Sequence, residues 1–367
     1  MPIPSLPNEL VDQILSYECL KEGDLIATCL VSKIWLEPSR TSLYQDVEIN
    51  LCIVEATRNN PYRPGPTKYL DRKSSKLFSL LAQRPEIAAM GKQIHLYITR
   101  NDQVANTSNV STTLPDLFSS LLRLLPCATF VYLADDEWLQ RDNLGPLFPF
   151  FHRLEEVVLE DIPGTRWFDL VRQLPNLNSL TLSCVGTDGL VFSNINPTPG
   201  ATGLQRLSIT GCVARAFATL QTGSCASLLT LAIDLDLLPQ LTLSGCPNLV
   251  QLSIEAGNRQ VAYRKIVPFL EQLKISNIVK LSFSHDTVLL LDLIHHLHVY
   301  VPQSCQRIDL EGELTLNGVA AVAQTSVAQL GLVHPNKGMG RRNGRAPTIL
   351  AALRAMVDGT GIEIIWR

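Results

Sequence analysis

From residue 154 onward one phrase recurs: an apolar residue, two of any kind, an apolar residue, one of any kind, an apolar residue. It stands at Leu154/Val157/Leu159, Leu177/Leu180/Leu182, Leu204/Leu207/Ile209, Leu228/Leu231/Ile233, Leu249/Leu252/Ile254, Ile278/Leu281/Phe283, Cys305/Ile308/Leu310 and Val327/Leu330/Leu332. Successive copies start 21 to 29 residues apart. The closing apolar-x-apolar run has the period of a strand, so its apolar residues share one face and the residue between them points to the other. A unit this short leaves apolar surface bare until a like neighbour covers it. The pattern therefore predicts a stack of units in place of the two or three globules that length alone suggests.

Weaker copies extend the array both ways. Strands are expected at residues 47–53, 94–98 and 130–133, and a last one at 361–366. Between strands the period turns helical: Leu117, Leu121 and Leu124 follow Pro115, and Leu350, Leu353 and Val357 follow Pro347. Leu238 falls between two counted starts, which marks either an extra strand or an irregular repeat. The spacing matches leucine-rich repeats. The expected class is α/β: a curved solenoid with a parallel sheet on its concave face. Its units are irregular over 46–150, clearer over 151–335, and closed by a capping unit at 346–367.

The first 45 residues obey a different rule. Leu6, Leu10 and Ile14 recur every four residues with Val11 and Leu15 beside them, an apolar stripe on a short helix. Pro7 suits a first helical position, where its missing N–H has no partner to lose. After Gly23 a second run sets Leu25, Cys29 and Leu30 on one side, and Ser32 can cap a third helix. Pro38 should kink that third helix or restart it with Pro38 in its first turn. A segment of about 40 residues rarely closes a core unaided, so this one must lean on the rest of the chain or on a partner.

Leu6-Pro7-Asn8-Glu9-Leu10, then Ile14-Leu15, Leu25, Val31-Ser32-Lys33 and Trp35, closely resembles an F-box over residues 4–45. The resemblance implies a three-helix module over 1–45 that docks on the small adaptor subunit of cullin–RING ubiquitin ligases, ahead of a repeat region at 46–367. Leu6, Pro7, Leu10, Ile14, Leu25, Val31 and Trp35 then face either the adaptor or the small core beneath it. Trp35 brings the largest apolar area and is the expected core anchor; Leu6 and Pro7 are the expected contacts.

An F-box ahead of irregular leucine-rich repeats resembles the F-box proteins abundant in fungi, whose repeats select a target. The implied function is the substrate-recognition subunit of an SCF-type ubiquitin ligase, non-enzymatic itself, in the cytoplasm or nucleus. A scaffold that binds the adaptor without promoting ubiquitination is the alternative. Target contacts are expected where strand alternation turns residues toward the concave face: Glu156, Glu160, Thr181, Arg206, Ser208, Asp234, Glu255, Lys280, Arg307 and Asp309. That stripe is small and hydroxyl-rich, with more acids than bases, and suits a protein partner through an extended polar interface.

Other classes fit less well. With a formal charge of −3 over 367 residues the chain offers no general attraction to nucleic acid or anionic membranes. No basic-then-apolar leader opens it, and the apolar run at 289–301 is broken by Asp292, His295, His296 and His298. Nine cysteines without a Cys-x-x-Cys pair fit a reducing compartment, where the sequons at Asn106 and Asn109 carry no weight. His295, His296 and His298 lie about 100° apart per residue on a helix and converge poorly on a metal. Cys184, Cys212 and Cys246, each just after a strand phrase, read as small apolar residues. The loop Gly338-Met339-Gly340-Arg341-Arg342-Asn343-Gly344 misses both phosphate-binding glycine patterns, and His285-Asp286 lacks an oxyanion site. No catalytic residue, cofactor or metal is expected.

Overall fold

The computed structural model describes residues 8–15, 22–30, 33–54, 67–100, 114–135, 153–160, 176–183, 203–210, 227–241, 243–255, 263–284, 299–311, 322–323, 327–333 and 360–366, with single positions at 325, 355 and 358. The chain divides into two compact units, Met1–Ile162 and Pro163–Arg367. Both are α/β, and their parallel strands, laid down in sequence order, are compatible with a solenoid-like arrangement.

The first unit opens with three helices, α1 (Asn8–Leu15), α2 (Glu22–Cys29) and α3 (Lys33–Tyr44). Val11, Leu15 and Leu25 form their core, and Trp35 and Leu43 pack against it. α2 and α3 are joined by hydroxyls. Thr28 Oγ1 donates to Leu25 O at 2.8 Å and lies 2.8 Å from the buried Ser39 Oγ. Pro38 lies inside α3, so the helix does not restart there. Thr41 Oγ1 donates to Glu37 O at 3.0 Å in the turn that contains it.

Strands β1 (Asp46–Val54), β3 (Gln93–Arg100), β4 (Phe130–Asp135) and β5 (Glu156–Glu160) run parallel, and β2 (Thr67–Leu70) pairs antiparallel with β1. Three of them cover the strands predicted at 47–53, 94–98 and 130–133. Val47, Ile49, Ile94, Leu96, Val131, Leu133, Val157 and Leu159 alternate along the four strands, all at 3% exposure or less, and make one inner face. Helices α4 (Arg72–Gln83), α5 (Pro85–Ala88) and α6 (Leu114–Leu124) belong to the same unit, and α6 carries the helix read from Leu117, Leu121 and Leu124. Asp71 caps α4 by accepting from Ser74 N at 2.6 Å. The buried Ser74 in turn accepts from Asn50 N at 2.8 Å, and Asp71 N donates to Asn50 O.

The second unit holds β6 (Ser179–Ser183), β7 (Arg206–Thr210), β8 (Thr230–Asp234), β9 (Gln251–Glu255), β10 (Lys280–Ser284), β11 (Arg307–Glu311), β12 (Gln329–Val333) and β13 (Glu363–Trp366), parallel and in sequence order. β6 to β12 each fall on a predicted phrase and β13 on the last strand expected at 361–366. From β6 to β12 the register advances one repeat at a time: Leu180, Leu207, Leu231, Leu252, Leu281, Ile308 and Leu330 stand side by side and are buried. Just ahead of the strands a bifurcated bond repeats. Gln205 and Arg206 N–H both donate to Asn178 O, Leu229 and Thr230 to Gln205 O, and Val250 and Gln251 to Leu229 O, at 2.8–3.0 Å. Hydroxyl staples add to it, with Ser227 Oγ donating to Leu204 O and Ser304 Oγ to Ile278 O, each at 2.9 Å. Gly203 is needed at its φ of +77°, since a Cβ there would lie 2.5 Å from Ser227 Oγ.

The Leu238 stretch is an irregular repeat and not an extra strand. It forms tight 3-10 turns at Leu235–Gln240 and Leu243–Gly245. Pro239, without an N–H, cannot join a central ladder. Helix α7 (Tyr263–Lys274) buries Ile266, Phe269, Leu270 and Leu273, and Gln272 Oε1 accepts from Leu243 N at 2.8 Å. The helix read from Leu350, Leu353 and Val357 lies outside the described residues, apart from isolated positions.

Candidate functional site

Two surfaces carry the residues singled out by sequence, and both differ from the expectation. On α1 the apolar stripe splits. Val11 and Leu15 are buried, whereas Leu10 and Ile14 are 44% and 43% exposed. Trp35 packs on the core, as expected of its anchor, and Leu25, which could have faced either the adaptor or the core, is buried in that core. Leu30, expected beside Leu25, is instead 83% exposed at the turn ending α2, and Ile26 is exposed too. Among the described residues, Leu10, Ile14, Ile26 and Leu30 are thus large apolar side chains that the helical segment leaves in water. Ile26 lies about 100° round the helix from Leu25, outside the stripe the sequence pattern picks out. Leu6, Pro7, Ser32 and Val31 lie outside the described residues.

The outward strand residues of the second unit form rows. Thr181, Ser208, Ala232, Ser253, Ser282, Asp309 and Gly331 stand in one register row. Thr181, Ser208 and Glu255 are half-buried and Arg206 is exposed. Asp234 and Asp309 are corrections, buried at 1% and 6%. Asp234 enters the 3-10 turn that follows β8. Asp309 is held by two cations, accepting from Arg307 Nε at 2.6 Å and pairing with Lys280 Nζ at 3.0 Å. It lies flat over Gly331, where a Cβ would meet its Oδ1 at 1.9 Å and Arg307 Nη2 at 3.1 Å. Burial pushes the Asp309 carboxyl up, but the hydrogen bonds and charges of Arg307 and Lys280 outweigh it and hold it below its ordinary value. Lys280 and Arg307 are consequently committed to a neighbour within the sheet and are poor candidates for a target contact.

In the first unit the outward face is different in kind. Glu156 and Glu160 are half-buried on β5. Beside them the register sets Phe130 against Glu156, His95 against Tyr132, and Glu48 against His95. Ring centroids lie 5.4 Å apart for His95–Phe130, 5.7 Å for His95–Tyr132 and 5.3 Å for Tyr97–Tyr132. Tyr132 donates its phenolic proton to Glu160, and Asn50 Nδ2 donates to Glu48 Oε1 at 3.2 Å. Burial, then Glu48, then Glu160, push the Tyr97 phenol up. Sequence reasoning missed these aromatic residues although they occupy the alternate positions of strands it did predict.

Cys246 and Cys305 are buried, and the Cys305 thiol is pushed up to about 11, chiefly by burial. Among the described residues no group of three or more His, Cys, Asp and Glu is placed to hold a metal ion. His295, His296, His298, Cys184, Cys212 and the loop at 338–344 lie outside them. Among the described residues no helix is long and apolar enough to cross a membrane. No protein-family model matches the chain, and no curated protein matches it by sequence.

Proposed function

We propose that this chain is the substrate-recognition subunit of an SCF-type cullin–RING ubiquitin ligase. Its leading helices dock on the adaptor, its strand faces hold a target, and the tether raises the target's effective concentration at the ubiquitin-carrying subunits. The observation that carries the reading is the divided stripe of α1 and α2. A segment with the residue order of an F-box spends Val11, Leu15 and Leu25 on its own core and leaves Leu10, Ile14, Ile26 and Leu30 exposed. Four large apolar side chains kept in water on so short a segment suit a partner's apolar groove.

Co-purification tests it. The full chain should retain the adaptor subunit, and Leu10→Asp with Ile14→Asp should lose it while the thermal melt stays where it was. A full chain that ignores the adaptor ends the proposal. Reconstituted ubiquitination of a bound target then separates a receptor from a scaffold.

A further inference from the structure

We propose that the outward face of β1, β3, β4 and β5 receives an Arg- and Lys-rich segment of a protein target, its cations lying over the rings of Tyr97, Phe130 and Tyr132, beside His95, and between flanking carboxylates. The inference deepens the receptor reading and rests on it in one respect: this face is taken to be a target-receiving one.

Charge complementarity selects the occupant. The acids at outward positions of these strands are Asp46, Glu48, Glu156 and Glu160, and no outward position carries Lys or Arg. The nearby Arg153 is turned away, donating to Pro126 O at 2.5 Å and Leu122 O at 2.9 Å. Between the acids sit rings in tilted contact, whose faces carry the negative end of a quadrupole. Rings alone would suit any apolar group, but an apolar ligand would strip water from the carboxylates without replacing it. Nucleic acid would bring phosphate onto a negative surface. A guanidinium or ammonium satisfies both features, stacking on a ring while pairing with a carboxylate. Burial together with the fields of Glu48 and Glu160 on Tyr97 shows that the two acids act on the same small area. Four adjacent strands span about 14 Å, enough for about four residues of an extended peptide and hence for two cations on alternate positions.

Fluorescence anisotropy on the full chain tests this with three dye-labelled peptides: one rich in Arg and Lys, its Glu- and Asp-substituted counterpart, and a Ser/Gly/Ala counterpart. The basic peptide should bind preferentially and weaken as salt rises. Glu48→Gln, Glu156→Gln and Glu160→Gln together should weaken it by about tenfold. Tyr132→Phe, which keeps the ring and releases Glu160 from the phenolic bond, should not weaken it. Equal affinity for the three peptides, undiminished binding by the triple variant, or no binding of the basic peptide overturns the proposal. Thermal melts verify folding; should the triple variant melt early, Glu156→Gln alone carries the comparison, with a severalfold loss expected and an unchanged affinity overturning it. Adaptor co-purification is scored separately on the same preparations. Its loss with peptide binding intact would strike the ligase reading alone, and the reverse would strike this one alone.

Discussion

Replacing Gly331 by alanine adds one methyl group at a place where a carboxylate already lies. The new Cβ would sit 1.9 Å from Asp309 Oδ1 and 2.9 Å from its Cγ, far inside contact distance, so the Asp309 side chain must swing away. In doing so it gives up the 2.6 Å bond from Arg307 Nε and the 3.0 Å pairing with Lys280. Both cations are largely buried, at 18% and 25% side-chain exposure, so neither regains full hydration. Losing a charge-assisted bond while leaving its partner half-buried should cost about 2–4 kcal/mol. Gly331 is also buried in mid-strand, where alanine by itself would be slightly favourable, so the loss must come from the displaced carboxylate. Urea unfolding of Gly331→Ala, Asp309→Ala and the double variant isolates this term. Once Asp309 is shortened to alanine, the added methyl meets only the end of the Arg307 side chain, at 3.1 Å from Nη2, and the two losses should fall well short of adding. A Gly331→Ala chain within about 0.5 kcal/mol of the parent, or additive losses in the double variant, would refute the reasoning.

Four further outcomes are expected. Stability should fall as pH drops through and below the ordinary carboxylate range and hold steady above it, because Asp309 is held below its ordinary value in the fold; Asp309→Asn should flatten that dependence in urea titrations at successive pH values. Leu231→Ala or Leu281→Ala, each at 0% exposure, should cost about 2–5 kcal/mol by thermal or urea melts. At mildly alkaline pH iodoacetamide should label the exposed Cys127 and spare Cys305, whose thiol is buried and pushed up to about 11, as mass spectrometry of native protein would report. Val11→Ala should destabilise the leading helices by about 2–4 kcal/mol, whereas Leu10→Ala should leave their stability within about 0.5 kcal/mol; circular dichroism melts distinguish the two.

Strand positions were legible because strand burial obeys a period of two that the side chains themselves display. Leu207 and Ile209, Leu252 and Ile254, and Leu281 and Phe283 announce which face is inner, and the structure buries all of them. The connections were less legible. The α7 helix surrounds Pro268, and the Leu238 stretch resembles a strand phrase until Pro239 is weighed. β2 is four residues long, too brief for any period to show. At the candidate surfaces alternation gave the direction of a side chain but not its neighbours. Asp309 does point outward, yet the bare backbone of Gly331 one strand away lets it lie flat and become buried between two cations. On α1 a stripe every fourth residue is wider than the core three short helices can offer, so Leu10 and Ile14 fall on its outer margin. The aromatic face of β3 and β4 was not legible because outward strand positions share no period that brings rings of different strands together; only the register that sets His95 beside Tyr132 does so.

A ladder of parallel strands contains no instruction to stop; each rung offers the next one the same docking edge. On β1 that invitation is withdrawn. β2 runs the opposite way against Leu51–Val54, and the Asp71–Ser74 turn claims both peptide groups of Asn50. Duplicating an internal unit would therefore lengthen the molecule without altering this terminus. Erasing β2 would instead leave an adhesive margin that invites head-to-tail polymerisation.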